Sequence, residues 1–221
     1  MAITQYTSFD RVAFAYDFLK KIIFGRSIET SQIEFLSKIP INASVLIIGG
    51  GTGKLLREIW LSRRARNITY LEFSEKMLEI SKRRMTSIGG DGQLLENIEF
   101  IKGSIENLDP VKKFDAIFTP FVLDIIGEDH LPDFLKGVDS VLCKYGLWFF
   151  TDFQISASSK LIRLYQSGLV KAMYIFFYFT SNLKIERLPD FSQYFSNLGY
   201  QVIYSASFYK DFIQSKVLMR K

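Results

Sequence analysis

Ile47-Ile48-Gly49-Gly50-Gly51-Thr52-Gly53-Lys54-Leu55-Leu56 decides the fold of this chain. Ahead of it Ala43–Ile48 (ASVLII) is a β-branched-rich run of strand length that ends abruptly at glycine. Behind it the apolar spacing predicts a helix from about Gly53 to Arg64. Glycines directly after a strand let the backbone turn tightly and approach a ligand with no Cβ in the way. The helix start that follows presents free N–H groups to that ligand. Spacing then separates the ligand classes that use such a loop. A dinucleotide fingerprint needs G-x-G-x-x-G, but counting from Gly49 and Gly51 puts Lys54 at the third position. A phosphate loop needs glycine where Ile48 stands and Ser or Thr where Leu55 stands. Both fail. What remains is G-x-G-x-G, which goes with a ligand carrying an amino-acid tail rather than a pyrophosphate.

Outward from the loop, apolar runs of strand length alternate with helical patterns. Ile68–Leu71 reads as a second strand, and Ser74–Met85 as a helix with Ser74 as its N-cap. Gly89-Gly90-Asp91-Gly92 breaks the chain before a third strand, Ile98–Ile101. Asp115–Phe118 is a fourth strand, His130–Leu142 a helix and Leu147–Thr151 a fifth strand. Continuous apolar strands joined by helices mean right-handed crossovers and a parallel sheet covered on both faces. The tail differs. After a helix over Asp190–Leu198, Tyr200–Ser207 and Phe212–Met219 are joined by a short link near Tyr209–Asp211. Strands that close together must be antiparallel, because a parallel return needs a dozen or more residues. An α/β fold is therefore expected, its mostly parallel seven-stranded sheet ending in an antiparallel hairpin.

Two regions fall outside the alternation. Residues 8–38 carry two amphipathic helices, the first marked by Phe9, Val12, Phe14, Ala15, Phe18 and Leu19. Residues 157–181 form a long aromatic helical segment, including Tyr174-Ile175-Phe176-Phe177-Tyr178-Phe179. Both read as lids rather than separate domains, and 221 residues fit one domain better than two.

Hydrophobic residues make up 48% of the chain, enough for a large core. No stretch reaches roughly 18 uninterrupted apolar residues, so no membrane span and no stable membrane insertion are expected. The first residues lack a basic segment followed by an apolar run, which argues against a secretory signal. A single cysteine, Cys143, excludes an intrachain disulfide and a multi-cysteine metal site. A cytoplasmic protein with no metal is the expectation. Lys and Arg exceed Asp and Glu by 28 to 23, giving +5. Two basic runs, Arg63-Arg64-Ala65-Arg66 and Lys82-Arg83-Arg84, read as the C-terminal ends of helices, where the dipole favours cations. They are short and lack interleaved aromatics, so no nucleic-acid partner is expected.

With the loop, the strand order and the tail in hand, the chain resembles the class I S-adenosylmethionine-dependent methyltransferases. It is most similar to the small-molecule group that includes the ubiquinone- and menaquinone-pathway enzymes. The resemblance runs from Phe9-Asp10-Arg11-Val12-Ala13 and Tyr16-Asp17 to the final hairpin, and Val45–Leu56 matches the family's first motif. It implies a Rossmann-like three-layer sandwich: a single methyltransferase domain over 1–221, with an N-terminal helical cap at 1–40 and a helical lid at 157–185.

The resemblance also implies roles. Gly49, Gly50, Gly51, Thr52 and Gly53 would wrap the methionine portion of S-adenosylmethionine. Glu72, nineteen residues beyond Gly53, would accept hydrogen bonds from both ribose hydroxyls, which a neutral residue does less strongly. Phe73 and Met77 would pack beside the ribose and adenine. Ser104, where the family often has Asp, would accept from the adenine amino group, and Ile105 would cover the adenine face. Thr119 and Phe121 would line the space beside the methyl group, and Tyr16 would close over the cofactor. One departure matters: the family commonly has an acid at the position of Ile47, orienting the cofactor's methionine end.

Methyl transfer from a sulfonium is an in-line displacement that needs proximity, orientation and desolvation more than acid–base help. Asp124 follows strand four and is the candidate base or acceptor ligand. His130, the only histidine, sits beside Leu131-Pro132 and reads as a helix start; Cys143 reads as core, late in an apolar helix. No paired carboxylates appear at usable spacing. The aromatic lid suits a small hydrophobic or aromatic acceptor. The expected function is methyl transfer to such a molecule; the alternative is a non-catalytic binding or scaffold protein of the same fold.

Overall fold

Ala43–Ile48, strand β1, buries all six of its residues, which requires cover on both faces. The computed structural model, which describes residues 23–89, 96–155, 159–181 and 187–221, supplies it. The other strands are β2 (Ala65–Glu72), β3 (Ile98–Lys102), β4 (Phe114–Pro120), β5 (Leu142–Phe153), β6 (Tyr200–Phe208) and β7 (Ile213–Arg220). They form one sheet in the order β3-β2-β1-β4-β5-β7-β6. The first five are parallel, and β7 runs antiparallel between β5 and β6. The expected seven-stranded sheet with its terminal hairpin is what forms.

Alternation along β1 sorts the core into two layers. Leu46 and Ile48 join Leu131, Leu135, Val138 and Val141 of α4 (Leu131–Val141), with Phe191 and Phe195 of α6 (Phe191–Asn197). Val45 and Ile47 point the other way, onto Leu55, Leu56 and Ile59 of α2 (Lys54–Leu61) and Leu78 and Met85 of α3 (Glu75–Gly89). A third cluster lies over the sheet's end: Phe24, Phe121, Phe153, Phe212 and Ile213 pack under Val170, Met173 and Tyr174 of α5 (Lys160–Ser181). Gln166 fastens α5 to the β6–β7 turn by donating to the Lys210 carbonyl at 2.7 Å. Tyr209, Lys210 and Asp211 in that turn all have left-handed φ, between 49° and 63°.

Several boundaries differ from the sequence expectation. β5 begins at Leu142 rather than Leu147, so Cys143 lies half-buried on a strand and not in the core of a helix. Leu142 leaves the helix with ψ 137°, and β5 then bulges: Phe114 pairs with Leu142, but Ala116 pairs with Leu147. The basic runs are not helix ends either. α2 stops at Leu61, Arg63 takes a left-handed φ of 55°, and Arg66 is already on β2. Lys82-Arg83-Arg84 sits in the middle of α3, which continues to Gly89 as Thr86 and Ser87 hydrogen-bond back to the preceding turn. Ahead of β1, α1 (Ser27–Ile33) and a 3₁₀ turn at Leu36–Lys38 stand for the second expected N-terminal helix. The first, with Phe9 and Tyr16, falls outside the described residues, as does the loop 90–95. Among the described residues no helix is long and apolar enough to cross a membrane.

Candidate active site

The sheet order reverses between β1 and β4, and in open α/β sheets the crevice outside the strands' C-terminal ends at such a point is where ligands bind. The glycine loop fills one side of it. Gly49 has φ +67° and donates to the Leu71 carbonyl at 2.8 Å, extending the β1–β2 ladder by one bond. A Cβ there would strike Val122, so the loops after β1 and β4 are in contact. A Cβ on Gly50 would meet the Tyr70 ring at 2.5 Å. Tyr70 donates its hydroxyl to the Gly51 carbonyl at 2.7 Å, and Arg84 donates Nε to the Thr52 carbonyl at 2.8 Å. Gly51 alone of the four loop glycines has open space where a Cβ would point. Its N–H faces the second anchor.

That anchor is Glu72, at the end of β2 and buried. Its Oε2 accepts from Gly51 N–H at 2.9 Å and its Oε1 from Ser74 N–H at 3.0 Å. Ser74 in turn accepts from Met77 N–H at 3.2 Å, the cap expected for α3. Phe73 and Met77 are half-buried on the same turn. After β3, Ser104 donates its hydroxyl to Glu106, and its N–H bonds Asn107 Oδ1 at 2.9 Å. Ile105 packs on α4, 3.3 Å from where a Cβ on Gly137 would stand. The parallel register thus brings the residues expected after β1, β2 and β3 to one edge. Ile47 is fully buried in the layer beneath the loop, an environment that would desolvate the family's usual acid.

The end of β4 is more closed than expected. Thr119 is fully buried and its hydroxyl accepts from Trp148 Nε1 at 2.9 Å, so the side chain serves the core. Phe121 has φ +54°, a strained value for an aromatic residue, and packs against Phe153 with ring centroids 4.9 Å apart. His130 is exposed at the start of α4. Asp124 is buried, and beside it lies a second carboxylate. Asp152, at the end of β5, accepts from Leu123 N–H at 3.1 Å and Asp124 N–H at 3.2 Å through Oδ2, and from Phe153 N–H at 2.8 Å through Oδ1. The expectation of no paired carboxylates at usable spacing is therefore corrected: β4 and β5 are neighbours, with Asp124 in the 3₁₀ turn after β4 and Asp152 next to last on β5.

Burial, then the Asp124 charge, pushes the Asp152 carboxyl well above the usual aspartate range, against three backbone bonds that favour its charged form. The folded state holds a proton that the unfolded chain releases near about pH 4. Stability therefore falls as pH rises through that window towards the raised folded value. Asp124→Asn removes the neighbouring charge and should flatten the decline. Thermal melts between about pH 4 and about pH 7 should show the wild type losing Tm relative to the variant; parallel curves would dissolve the pair.

Against known proteins, residues 45–146 match the family described as methyltransferase domain. That match takes in the glycine loop, Glu72 and Asp124, a little under half of the chain. Among curated proteins it is 30% identical over 84 residues to the polyamine aminopropyltransferase of Methanocaldococcus jannaschii, covering 33% of this chain and 29% of that protein. It is 34% identical over 98 residues to malonyl-[acyl-carrier protein] O-methyltransferase 2 of Ilyobacter polytropus, covering 42% and 35% respectively. The chain thus spans about a third of the length of the curated relatives it matches. Among solved structures, the DhpI-SAM-HEP complex superposes with a TM-score of 0.66 at 19% identity, over 95% of this chain and 93% of that one.

Four contributors to this region escaped the sequence reading. Tyr70 and Arg84 hold the loop carbonyls, yet one looked like strand core and the other like a helix-end charge. Asp152 had a signal: Thr151-Asp152 ends an apolar strand as Asp124 follows another. Tyr174 was submerged in its aromatic run.

Proposed function

We propose that the chain transfers the methyl group of S-adenosylmethionine to a small, hydrophobic or aromatic acceptor by in-line displacement. One observation carries the reading: the Glu72 carboxylate, buried at the end of β2, lies against the N–H of Gly51, the one loop glycine with open space beside it. The donor set suits the cofactor. A carboxylate has roughly four acceptor sites, and Glu72 would hold the ribose hydroxyls. Gly49–Gly53 would hold the methionine portion, with Phe73 and Met77 beside the ribose and adenine. Ser104 gives its proton to Glu106, and a hydroxyl in that state still accepts, here from an adenine amino group. Ile105 would cover the adenine.

Bound there, S-adenosylmethionine supplies a methyl group on a sulfonium, which leaves readily. The chain's own residues orient and dehydrate. Phe24, Phe121, Phe153, Val170 and Met173 form an apolar cluster that excludes water and favours an apolar acceptor. Thr119 contributes backbone only, its hydroxyl being held by Trp148. Asp124 would hold the acceptor or its proton. We read α5 as the lid within 157–185, residues 1–40 as a cap, and 1–221 as one domain.

Incubation with methyl-labelled S-adenosylmethionine and a panel of phenols, quinols, amines and acids tests this. Acceptor-dependent transfer of label is expected. Cofactor binding without transfer to any of them would leave a non-catalytic binding protein of the same fold.

A further inference from the structure

The two acids, Asp124 in the turn after β4 and Asp152 near the end of β5, belong to a larger arrangement. Asp152 is locked by three backbone N–H groups and fixes the turn that carries Leu123 and Asp124. Phe121 and Phe153, each within three residues of one acid, share a cluster with Tyr174 of α5. The Tyr174 hydroxyl is buried and has no hydrogen-bond partner among the described residues. A buried phenol ordinarily finds one, so this group is placed for a partner that the described residues do not provide. The charges acting on it come from Asp124, Asp152 and Glu128, all carboxylates. Burial first, and then these charges, push the phenol far above its usual range, so it keeps its proton.

We infer that Asp124 and Tyr174, with Asp152 positioning Asp124, form an acceptor-selecting floor that takes a nucleophile bearing its own proton, a hydroxyl or an amine, and turns away a carboxylate. The inference rests on the methyl-transfer reading above and narrows its acceptor. An O–H or N–H donates to the Asp124 carboxylate while its oxygen or nitrogen accepts from Tyr174. An acceptor carboxylate would meet like charge in a buried site, which costs several-fold to many-fold in affinity. The aromatic cluster of Phe24, Phe121, Phe153 and Phe212 that Tyr174 joins favours a phenol or an aromatic amine.

Calorimetry on the full chain tests the inference in two stages. S-adenosylhomocysteine is titrated first; failure to bind overturns the methyl-transfer reading and this inference with it. Naphthol, naphthylamine and naphthoate, matched in ring size, are then titrated into the saturated protein. Naphthol or naphthylamine should bind at least about 30-fold more tightly than naphthoate. Asp124→Asn should shrink that preference to within about threefold. Tyr174→Phe, nearly isosteric, should weaken naphthol about tenfold and leave naphthoate unchanged. With S-adenosylhomocysteine bound normally, equal affinity for naphthoate, or binding of none of the three, overturns the floor alone. Tyr174→Phe binding naphthol as the wild type does would remove the phenol from it.

Discussion

Glu72→Ala is expected to weaken S-adenosylhomocysteine binding roughly a hundredfold, the largest loss of affinity for any single side chain of the proposed site. Hydrogen bonds to a charged group contribute about 1.5–3 kcal/mol each. Two ribose hydroxyls on one carboxylate therefore amount to about 3 kcal/mol, or two orders of magnitude in Kd. The same side chain also organises its partner loop, since Oε2 accepts from Gly51 N–H and Oε1 from Ser74 N–H. Its removal would take away the proposed ribose acceptor and loosen the turn that would hold the methionine portion. Glu72→Gln keeps one acceptor oxygen and should fall between, about tenfold weaker than wild type. Titration calorimetry gives the Kd values, and circular dichroism checks that the variants fold. An unchanged Kd in a folded Glu72→Ala protein would remove the ribose assignment and leave Glu72 as a structural brace of the glycine loop.

What the sequence disclosed and what it withheld follow from the range of the interactions. The glycine loop, β1 and the cap at Ser74 are local, settled by residues within one turn of each other, and they form as read. The hairpin was legible because a short link admits only antiparallel pairing. Asp124 and Asp152, by contrast, are 28 residues apart, and only the β4–β5 pairing brings them together. A scan for acids at helical or strand spacing does not find such a pair. Arg84 was misread for a related reason. Its charge looked like a response to the helix dipole, whereas its partner is the Thr52 carbonyl on another element. The start of β5 was hidden by its bulge, where Cys143 to Gly146 interrupt the regular register and continue the helical-looking pattern of α4. The glycines were read as clearing space for a ligand. At Gly49, Gly50 and Gly53 the space is taken by the protein itself, by Val122, Tyr70 and Ser81.

That division gives the second large expectation, Gly53→Ala, which should cost about 3 kcal/mol of folding stability. Gly53 opens α2 with φ +77°, and a side chain in the left-handed region costs about 1–2 kcal/mol. Its new Cβ would stand 2.7 Å from Ser81 Cβ and 2.9 Å from Ser81 Cα. Ser81 is fully buried in α3, so relief means moving a helix backbone, and such overpacking costs about 1–3 kcal/mol more. The sum is a large fraction of the roughly 5–15 kcal/mol that holds a domain folded. Gly51→Ala is the control, because φ there is +62° but the space is open. It should cost only the backbone penalty, about 1–2 kcal/mol, while its methyl group obstructs the surface the cofactor would approach. Urea denaturation should therefore rank Gly53→Ala as the less stable variant, and titration with S-adenosylhomocysteine should find Gly51→Ala folded but impaired in binding. A Gly53→Ala protein with a wild-type urea midpoint would mean that α2 and α3 do not approach at Ser81, and the glycine would then owe its place to the ligand after all.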